Sequence, residues 1–214
     1  MSNGTFDFNE LIKESKEVLV NPKSYFSTMK TTGGMTEPLI KAVIYGAIAG
    51  VFKLLWSILH LGAVSAGIFG GAVGIIGFFS SILFAIIGLF IGAVILLVIS
   101  AICKGSTDFE ANVRVTAACM VVMPISAFLG FTSGIHIYFG TIVSLAVSVY
   151  SFWLLYNGLV EALKSKPETT KIVLLVLIAI FVIVTLAGIR TANRLKNSFD
   201  NSDLQEMMKD MPKE

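Results

Sequence analysis

Between Gly62 and Cys103 the chain reads GAVSAGIFGGAVGIIGFFSSILFAIIGLFIGAVILLVISAIC, a run without a charged side chain. One crossing of a bilayer needs about 20 apolar residues. The whole chain has the same character, since 55% of its 214 residues are hydrophobic, 14% are charged and its mean hydropathy is +0.83. A soluble domain carries about a quarter of charged residues. The composition therefore excludes a soluble globular fold and predicts a polytopic membrane protein.

The uncharged run holds either one span with an apolar preamble or two spans joined by a tight turn. Its first part is dense in glycine, which favours a re-entrant or closely packed segment. These glycines are Gly67, Gly70, Gly71, Gly74 and Gly77. We place the second crossing from about Phe78 to Ile102. An all-α bundle of five transmembrane spans follows, with the other crossings at about Leu39–His60, Val113–Leu129, Ile137–Val160 and Lys171–Ile189.

The placement of lysine and arginine tests this count, because cytoplasmic loops carry the excess of positive charge. With the N-terminus inside and five spans, the cytoplasmic segments hold Lys13, Lys16, Lys23, Lys30, Lys104, Arg114, Lys164, Lys166 and Lys171. The two outer loops hold none. The C-terminal tail opposes this arrangement, because five spans place it outside although it carries Arg190, Arg194 and Lys196. A sixth crossing, merged with a neighbour, is the alternative.

The N-terminal segment lacks the basic start and short apolar run of a cleavable signal. Asp7 to Val20 predicts an amphipathic helix, and a second short helix is expected to open with Asn21 as cap and Pro22 as first residue. Such helices suit the headgroup plane of a membrane. The predicted membrane-surface residues are Phe8, Leu11, Ile12, Tyr25 and Phe26. Packing of both helices on the protein's own cytoplasmic face is the alternative.

Several short motifs are shared with a known family. They are Asn21-Pro22 with Phe26, Pro38-Leu39 at the first span, Lys104-Gly105-Ser106 with Phe109, Val113-Arg114-Val115 with Pro124, and Tyr156 to Leu163 followed by Lys171. The chain resembles the Yip family, the Rab-interacting polytopic membrane proteins, from about Val18 to Ile189. Together with the predicted spans, this resemblance divides the chain into a cytoplasmic segment with amphipathic helices (1–38), a Yip-like transmembrane domain (39–189) and a polar C-terminal tail (190–214).

The stretch before the first span differs from that of the family's eukaryotic members. Those members have Asp-Leu-Tyr-Gly-Pro, whereas Met35 to Leu39 keeps only an acid and the proline. The chain therefore looks like a prokaryotic member, for which the resemblance implies a fold and a membrane location without an established activity. A prokaryotic chain would lie in the cytoplasmic membrane, and a eukaryotic one in the Golgi or endoplasmic reticulum.

Charged residues inside spans are functional candidates because each is costly in hydrocarbon. Lys41 and Lys53 in the first span qualify. Lys41 is close enough to the inner end to reach water by snorkelling. Lys53 either snorkels outward or faces the bundle, where it would meet a lipid phosphate or a carbonyl group, and we count it as a candidate functional residue.

Three further candidates lie near the cytoplasmic ends of the third and fourth spans. Arg114 and Glu161 are expected to pair across the bundle, and Asn157 lies on the same helix face as Glu161. A structural clamp is the favoured interpretation, and recognition of a headgroup or a partner is the alternative.

Small residues recur at four-residue spacing, which lets helix backbones approach closely. The pairs are Gly46 and Gly50, Gly70 and Gly74, and Gly88 and Gly92. Packing within one bundle is favoured, and a homo-oligomer is the alternative.

His60, His136, Cys103 and Cys119 lack the spacing of a metal, redox or disulfide site. No nucleotide-binding or catalytic motif occurs, so we expect no cofactor, no metal and no nucleic-acid partner.

The sequence thus predicts a non-enzymatic integral membrane protein of Yip type. It would organise or shape the bilayer, or recruit protein partners to its cytoplasmic face. The alternative is a transporter, channel or lipid scramblase with a path near Lys53 and the glycine-rich segment.

Overall fold

The computed structural model describes residues 7–59, 61 and 70–201, with the backbone alone for residues 70–73, 137 and 189–201. His60, Gly67 and residues 202–214 of the predicted tail therefore lie outside the described residues. All regular structure in the described part is helical. The helices are α1 (Phe8–Val20), α2 (Pro22–Thr28), α3 (Thr36–Ile58), α4 (Gly70–Ile102), α5 (Phe109–Cys119), α6 (Val122–Phe128), α7 (Thr132–Ile135), α8 (Ile137–Asn157) and α9 (Pro167–Asn201).

Five helical stretches in the described part are long and apolar enough to cross a membrane. They are Thr36–Ile58, Gly74–Ile102, Phe109–Ile135, Tyr138–Ala162 and Pro167–Gly188. The predicted all-α architecture with five spans is confirmed. Large apolar side chains such as Phe79, Phe84 and Ile91 are exposed along α4, as expected where a helix contacts lipid.

The chain divides into two units by its internal contacts, with the boundary between Leu174 and Leu175. The first unit contains α1 to α8 and the first residues of α9. The second unit begins at Leu175 and contains the rest of α9, which is apolar up to Gly188.

The third span is longer than predicted and is interrupted. A turn follows α5, and α6 begins at Val122 with a proline, Pro124, as its third residue. Pro124 has no N–H group to donate to the carbonyl of Met120. The N–H of Met123 donates to that carbonyl instead, at 2.8 Å. A 3₁₀ turn and α7 then extend the span to Ile135, beyond the expected end at Leu129.

The glycine-dense segment is helical from Gly70 onward, so a re-entrant path is wrong for this part. The closely packed alternative holds at Gly74, which is buried. A Cβ atom at Gly74 would lie 2.8 Å from Leu54 and 3.2 Å from Ser57 on α3. The absence of a side chain therefore lets α4 approach α3 closely.

The core of the first unit lies between α3, α4 and α5. Its centre is made by Ala42, Leu89, Ala93, Val113 and Ala117. The three alanines among them let the helices approach closely, because without a hydrophobic driving force in lipid the helices associate through van der Waals packing.

The predicted packing glycines behave differently from one another. A Cβ at Gly46 would lie 2.7 Å from the Cβ of Ala85, and one at Gly50 would lie 2.9 Å from the carbonyl oxygen of Phe78. A Cβ at Gly92 would lie 3.0 Å from the side-chain methyl group of Thr116. Gly88 has open space around it, so it does not pack within this bundle, and packing of Gly88 in a homo-oligomer stays a prediction. The side-chain surroundings of Gly70 lie outside the described part.

The connecting loops segregate to two ends of the bundle. At one end, the loop before α5 and the loop before α9 are joined by hydrogen bonds, and the loop before α3 bonds to the side chain of Glu110. This basic end, with the loops 29–35, 103–108 and 163–166, is the one that the positive-inside rule assigns to the cytoplasm. At the other end, the indole N–H of Trp56 donates to the carbonyl of Ala127 at 2.9 Å.

We expect Gly46→Ala to destabilise the bundle by about 1–3 kcal/mol, because the new methyl group would meet Ala85 and the backbone of α4. The matched control is Gly88→Ala, which has open space and gains up to about 1 kcal/mol of helix propensity. Unfolding in mixed detergent micelles measures both. Equal stability of the two variants would contradict the close approach of α3 and α4.

Candidate functional site

Two buried cations lie side by side at the basic end. Lys41 on α3 and Arg114 on α5 have side chains only 8% and 7% exposed. Glu37 on α3 bridges them, with one carboxylate oxygen 2.7 Å from Lys41 Nζ and the other 3.0 Å from Arg114 Nη1. A buried cation is tolerated only when it is paired and hydrogen-bonded. Glu37 supplies that pairing to both cations at once.

Each cation also has a second carboxylate partner. Glu14 on α1 lies 2.7 Å from Lys41 Nζ, and Glu110 on α5 lies 3.3 Å from Arg114 Nε. We call these five residues, Glu14, Glu37, Lys41, Glu110 and Arg114, the ion-pair cluster. The cluster ties α1, α3 and α5 together with charge-assisted hydrogen bonds.

The loop before α3 closes around Arg114. The guanidinium of Arg114 donates to the carbonyls of Lys30 and Gly34 at 3.4 and 3.2 Å. The N–H of Gly34 donates to the carboxylate of Glu110 at 2.6 Å. Gly33 has a φ of 135° and a Cβ there would lie 2.8 Å from Arg114 Nη2. The backbone conformation therefore favours glycine at position 33, and the absence of a side chain leaves room for the guanidinium of Arg114.

Further contacts hold α1 on the bundle. Ser15 donates to the carbonyl of Leu11 at 2.6 Å, which leaves the hydroxyl of Tyr45 as donor to Ser15 at 2.8 Å. The hydroxyl of Tyr150 on α8 donates to the carbonyl of Leu19. Together with the pair between Glu14 and Lys41, these bonds fix α1 to two of the spans.

α2 is held by an aromatic side chain. Phe26 is fully buried, and a Cβ at Gly158 would lie 3.5 Å from its ring. Gly158 opens the π-helical turn Gly158–Ala162 that ends the fourth span. Tyr25 is also buried, and burial raises the pKa of its hydroxyl above the usual range.

The predicted membrane-surface residues separate into two groups. Leu11, Tyr25 and Phe26 are buried in the protein, so for them the membrane-surface assignment is wrong and they pack on the protein's own basic end. Phe8 and Ile12 are exposed, with 55% and 54% of their surface accessible. The periodic pattern did not distinguish the two groups, because both are apolar positions of short amphipathic helices.

The predicted pair between Arg114 and Glu161 is not formed. Arg114 faces Glu37 and Glu110, whereas Glu161 lies in the π-helical turn beside α2, 3.9 Å from the exposed Lys23. A surface pair at that distance contributes little to stability. The prediction that Lys41 reaches water by snorkelling is also wrong, because its side chain is buried and pairs with the carboxylates of Glu14 and Glu37.

Asn157, Lys53 and His136 are not part of the ion-pair cluster. The Asn157 side-chain amide is buried and donates to the carbonyl of Trp153 at 2.8 Å. Lys53 is exposed and takes part in none of the ion pairs found among the described residues. His136 is exposed, next to the ring of Tyr138. In the described ranges no three residues are placed to hold a metal ion together.

Sequence reasoning missed the carboxylates of the cluster. Glu37 precedes Lys41 by four residues, and Glu110 precedes Arg114 by four residues. An acid placed four residues before a base is the favourable orientation on a helix, because the acid then lies nearer the positive end of the dipole. That spacing was a usable signal for both pairs. The contribution of Glu14 had no such signal, because it comes from another helix.

The family model for the Yip1 domain matches residues 16–189. The chain belongs to the Yip family. The Yip1 domain includes Glu37, Lys41, Glu110 and Arg114, whereas Glu14 and Ser15 lie just before the matched residues. Comparisons with curated proteins and with solved structures found no match. This Yip protein is a multi-pass membrane protein.

We expect Glu37→Gln to destabilise the protein by about 1–3 kcal/mol, because it removes the carboxylate shared by two buried cations. The loss is limited because Lys41 and Arg114 each keep a second partner, and because Glu37 is partly exposed. Unfolding in mixed micelles measures the change. Glu17→Gln on the exposed side of α1 is the matched control. If both variants unfold alike, the cluster does not stabilise the fold.

Proposed function

We propose that this Yip protein is a non-enzymatic membrane organiser whose docked N-terminal helices act on the cytoplasmic leaflet and recruit partners there. The proposal rests on one observation above all. Phe8 and Ile12 are exposed, one helical turn apart, on a helix whose position is fixed by contacts with the bundle. Two apolar side chains held in that way at the level of the headgroups are suited to insertion between lipids.

The opposite side of α1 supports this assignment. Leu11 and Val18 are nearly fully buried against the protein, so the helix does not need the membrane to cover that face. The exposed Phe8 and Ile12 are therefore not needed to hold α1 on the bundle. Lys13 and Lys16 are exposed on the same helix and would contact anionic headgroups.

The functional groups of the ion-pair cluster support a mechanical role rather than a chemical one. Each carboxylate in it is matched to a cation, and the cluster connects α1 to the bundle instead of opening to a substrate. Local bending of the bilayer by α1 would then be transmitted to the spans through Glu14 and Lys41.

We expect Phe8→Ser combined with Ile12→Ser to abolish most of the change in vesicle shape that the protein produces in liposomes. Each side chain contributes about 1.5–3 kcal/mol when it is buried in an apolar medium. Electron microscopy of the vesicles measures the effect at equal protein content. Phe8→Leu combined with Ile12→Val is the matched control and should act like the parent. Unchanged remodelling by the serine variant would overturn this role of α1.

The rival proposal is transport or lipid scrambling along a path near Lys53. A hollow of about 200 Å³ lies beside the outer part of α8, but Lys53 does not line it. In proteoliposomes, we expect no flux of lipid or solute that depends on the protein. Flux that falls in Lys53→Leu, with correct insertion shown by protease accessibility, would favour the rival over the organiser.

A further inference from the structure

Two helices end in the same unusual way at the basic end. After α4, Lys104 has a φ of 58°, and after the π-helical turn that follows α8, Lys164 has a φ of 56°. Glycine ordinarily takes this left-handed position at a helix C-terminus, because a side chain there is strained. The described part of the chain has no other residue except glycine with a positive φ.

The backbone bonds that close each helix show why the left-handed conformation is imposed. The N–H of Gly105 donates to the carbonyl of Ser100 at 2.8 Å, and the N–H of Ser165 donates to the carbonyl of Leu159 at 2.9 Å. The bond of Gly105 reaches back five residues, as in a Schellman cap, and the bond of Ser165 reaches back six residues because it closes a π-helical turn. Glycine would satisfy both caps without strain, so the caps do not explain the choice of lysine.

The two loops are also joined to each other. The N–H of Ser106 donates to the carbonyl of Leu163 at 2.7 Å, and the N–H of Lys166 donates to the carbonyl of Cys103 at 2.9 Å. A Cβ at Gly105 would lie 2.1 Å from Ser165 Oγ and 2.6 Å from Ser100 Oγ, which shows how closely the loops pack. We call this paired unit, residues 103–106 and 163–166, the loop platform.

The loop platform displays three lysines without anionic partners. Lys104, Lys164 and Lys166 are exposed, and none of them takes part in an ion pair among the described residues. The neighbouring acid Asp108 is occupied in capping α5, where its carboxylate accepts from the N–H of Ala111 at 2.8 Å. Glu168 lies in the first turn of α9, where the helix dipole favours a carboxylate.

The position of the loop platform indicates which kind of anion its lysines would bind. Its loops follow the second and fourth spans directly and precede the third and fifth, so they lie at the level of the lipid headgroups. The cytoplasmic leaflet carries anionic lipids, and basic pockets between spans on that side bind their headgroups. We propose that the loop platform is a binding site for the phosphate-bearing headgroup of an anionic lipid in the cytoplasmic leaflet.

A simpler explanation is that the lysines only complement the negative ends of two helix dipoles. The two explanations differ in what happens when both lysines become glycine. Complementation of the dipoles predicts a loss of stability and no change in lipid binding. A lipid site predicts weaker lipid binding in a protein that is at least as stable, because glycine relieves the strain at both caps.

The test uses the full chain, purified in a neutral detergent and titrated with short-chain phosphatidylglycerol. We expect Lys104→Gly combined with Lys164→Gly to weaken binding about 25-fold, since a lysine near an anionic surface contributes a factor of about five. The melting temperature of this variant should stay equal or rise. Lys104→Arg combined with Lys164→Arg should retain the binding.

Controls separate a specific site from a diffuse charge effect and from free phosphate. Lys23→Gln combined with Lys30→Gln removes the same charge from the same end of the protein, outside the loop platform, and should leave the affinity within about twofold. The parent protein should bind short-chain phosphatidylcholine at least tenfold more weakly than short-chain phosphatidylglycerol. An equal loss in the variant of Lys23 and Lys30, or equal affinity for inorganic phosphate, would overturn the proposal. Because α1 is unaltered in the loop variants, failure here leaves the proposed role of Phe8 and Ile12 untouched.

Discussion

The carboxylate of Glu37 is the interaction on which the basic end of the molecule depends. It neutralises Lys41 and Arg114, two cations that the packing of α3 against α5 withdraws from water. The desolvation of two cations would oppose that packing unless both were paired. Each cation also binds a second carboxylate. Glu14 pairs with Lys41 and so draws in α1, and Glu110 pairs with Arg114 and accepts from the N–H of Gly34 in the loop before α3. Neutralisation of buried charge thus sets the position of the N-terminal segment.

The rest of the bundle follows a different rule. Lipid offers no hydrophobic driving force for helix association, so α3 and α4 meet through small residues that let their backbones approach. Gly46, Gly50 and Gly74 fill this role, while apolar side chains such as Phe84 and Ile91 point outward. The protein is therefore held by close backbone contact within the membrane and by paired charges at its basic end. The loop platform adds a third element, in which strained lysines replace the glycines that helix ends prefer.

The prediction from sequence succeeded where the physical signal is local. Hydrophobic length predicted five spans, and the cap pair Asn21-Pro22 correctly marked the start of α2. It failed where the outcome depends on a partner distant in sequence. Arg114 was expected to face Glu161, because both lie near the same end, but the rotation of α5 presents it to Glu37. Leu11 and Phe8 share one amphipathic helix, yet only the surface of the bundle determines that one is buried and the other exposed.

The sequence by itself determined the membrane location, the helical class, the number of spans and the family, because these depend on hydrophobic length, on backbone hydrogen bonding in lipid and on short motifs. The tertiary structure alone decided which charges meet, which glycines pack and which lysines adopt a left-handed conformation. The reason is geometric. Helix rotation and helix contact are collective properties of the packed bundle, and a shift of one residue along a helix turns a side chain by about 100°.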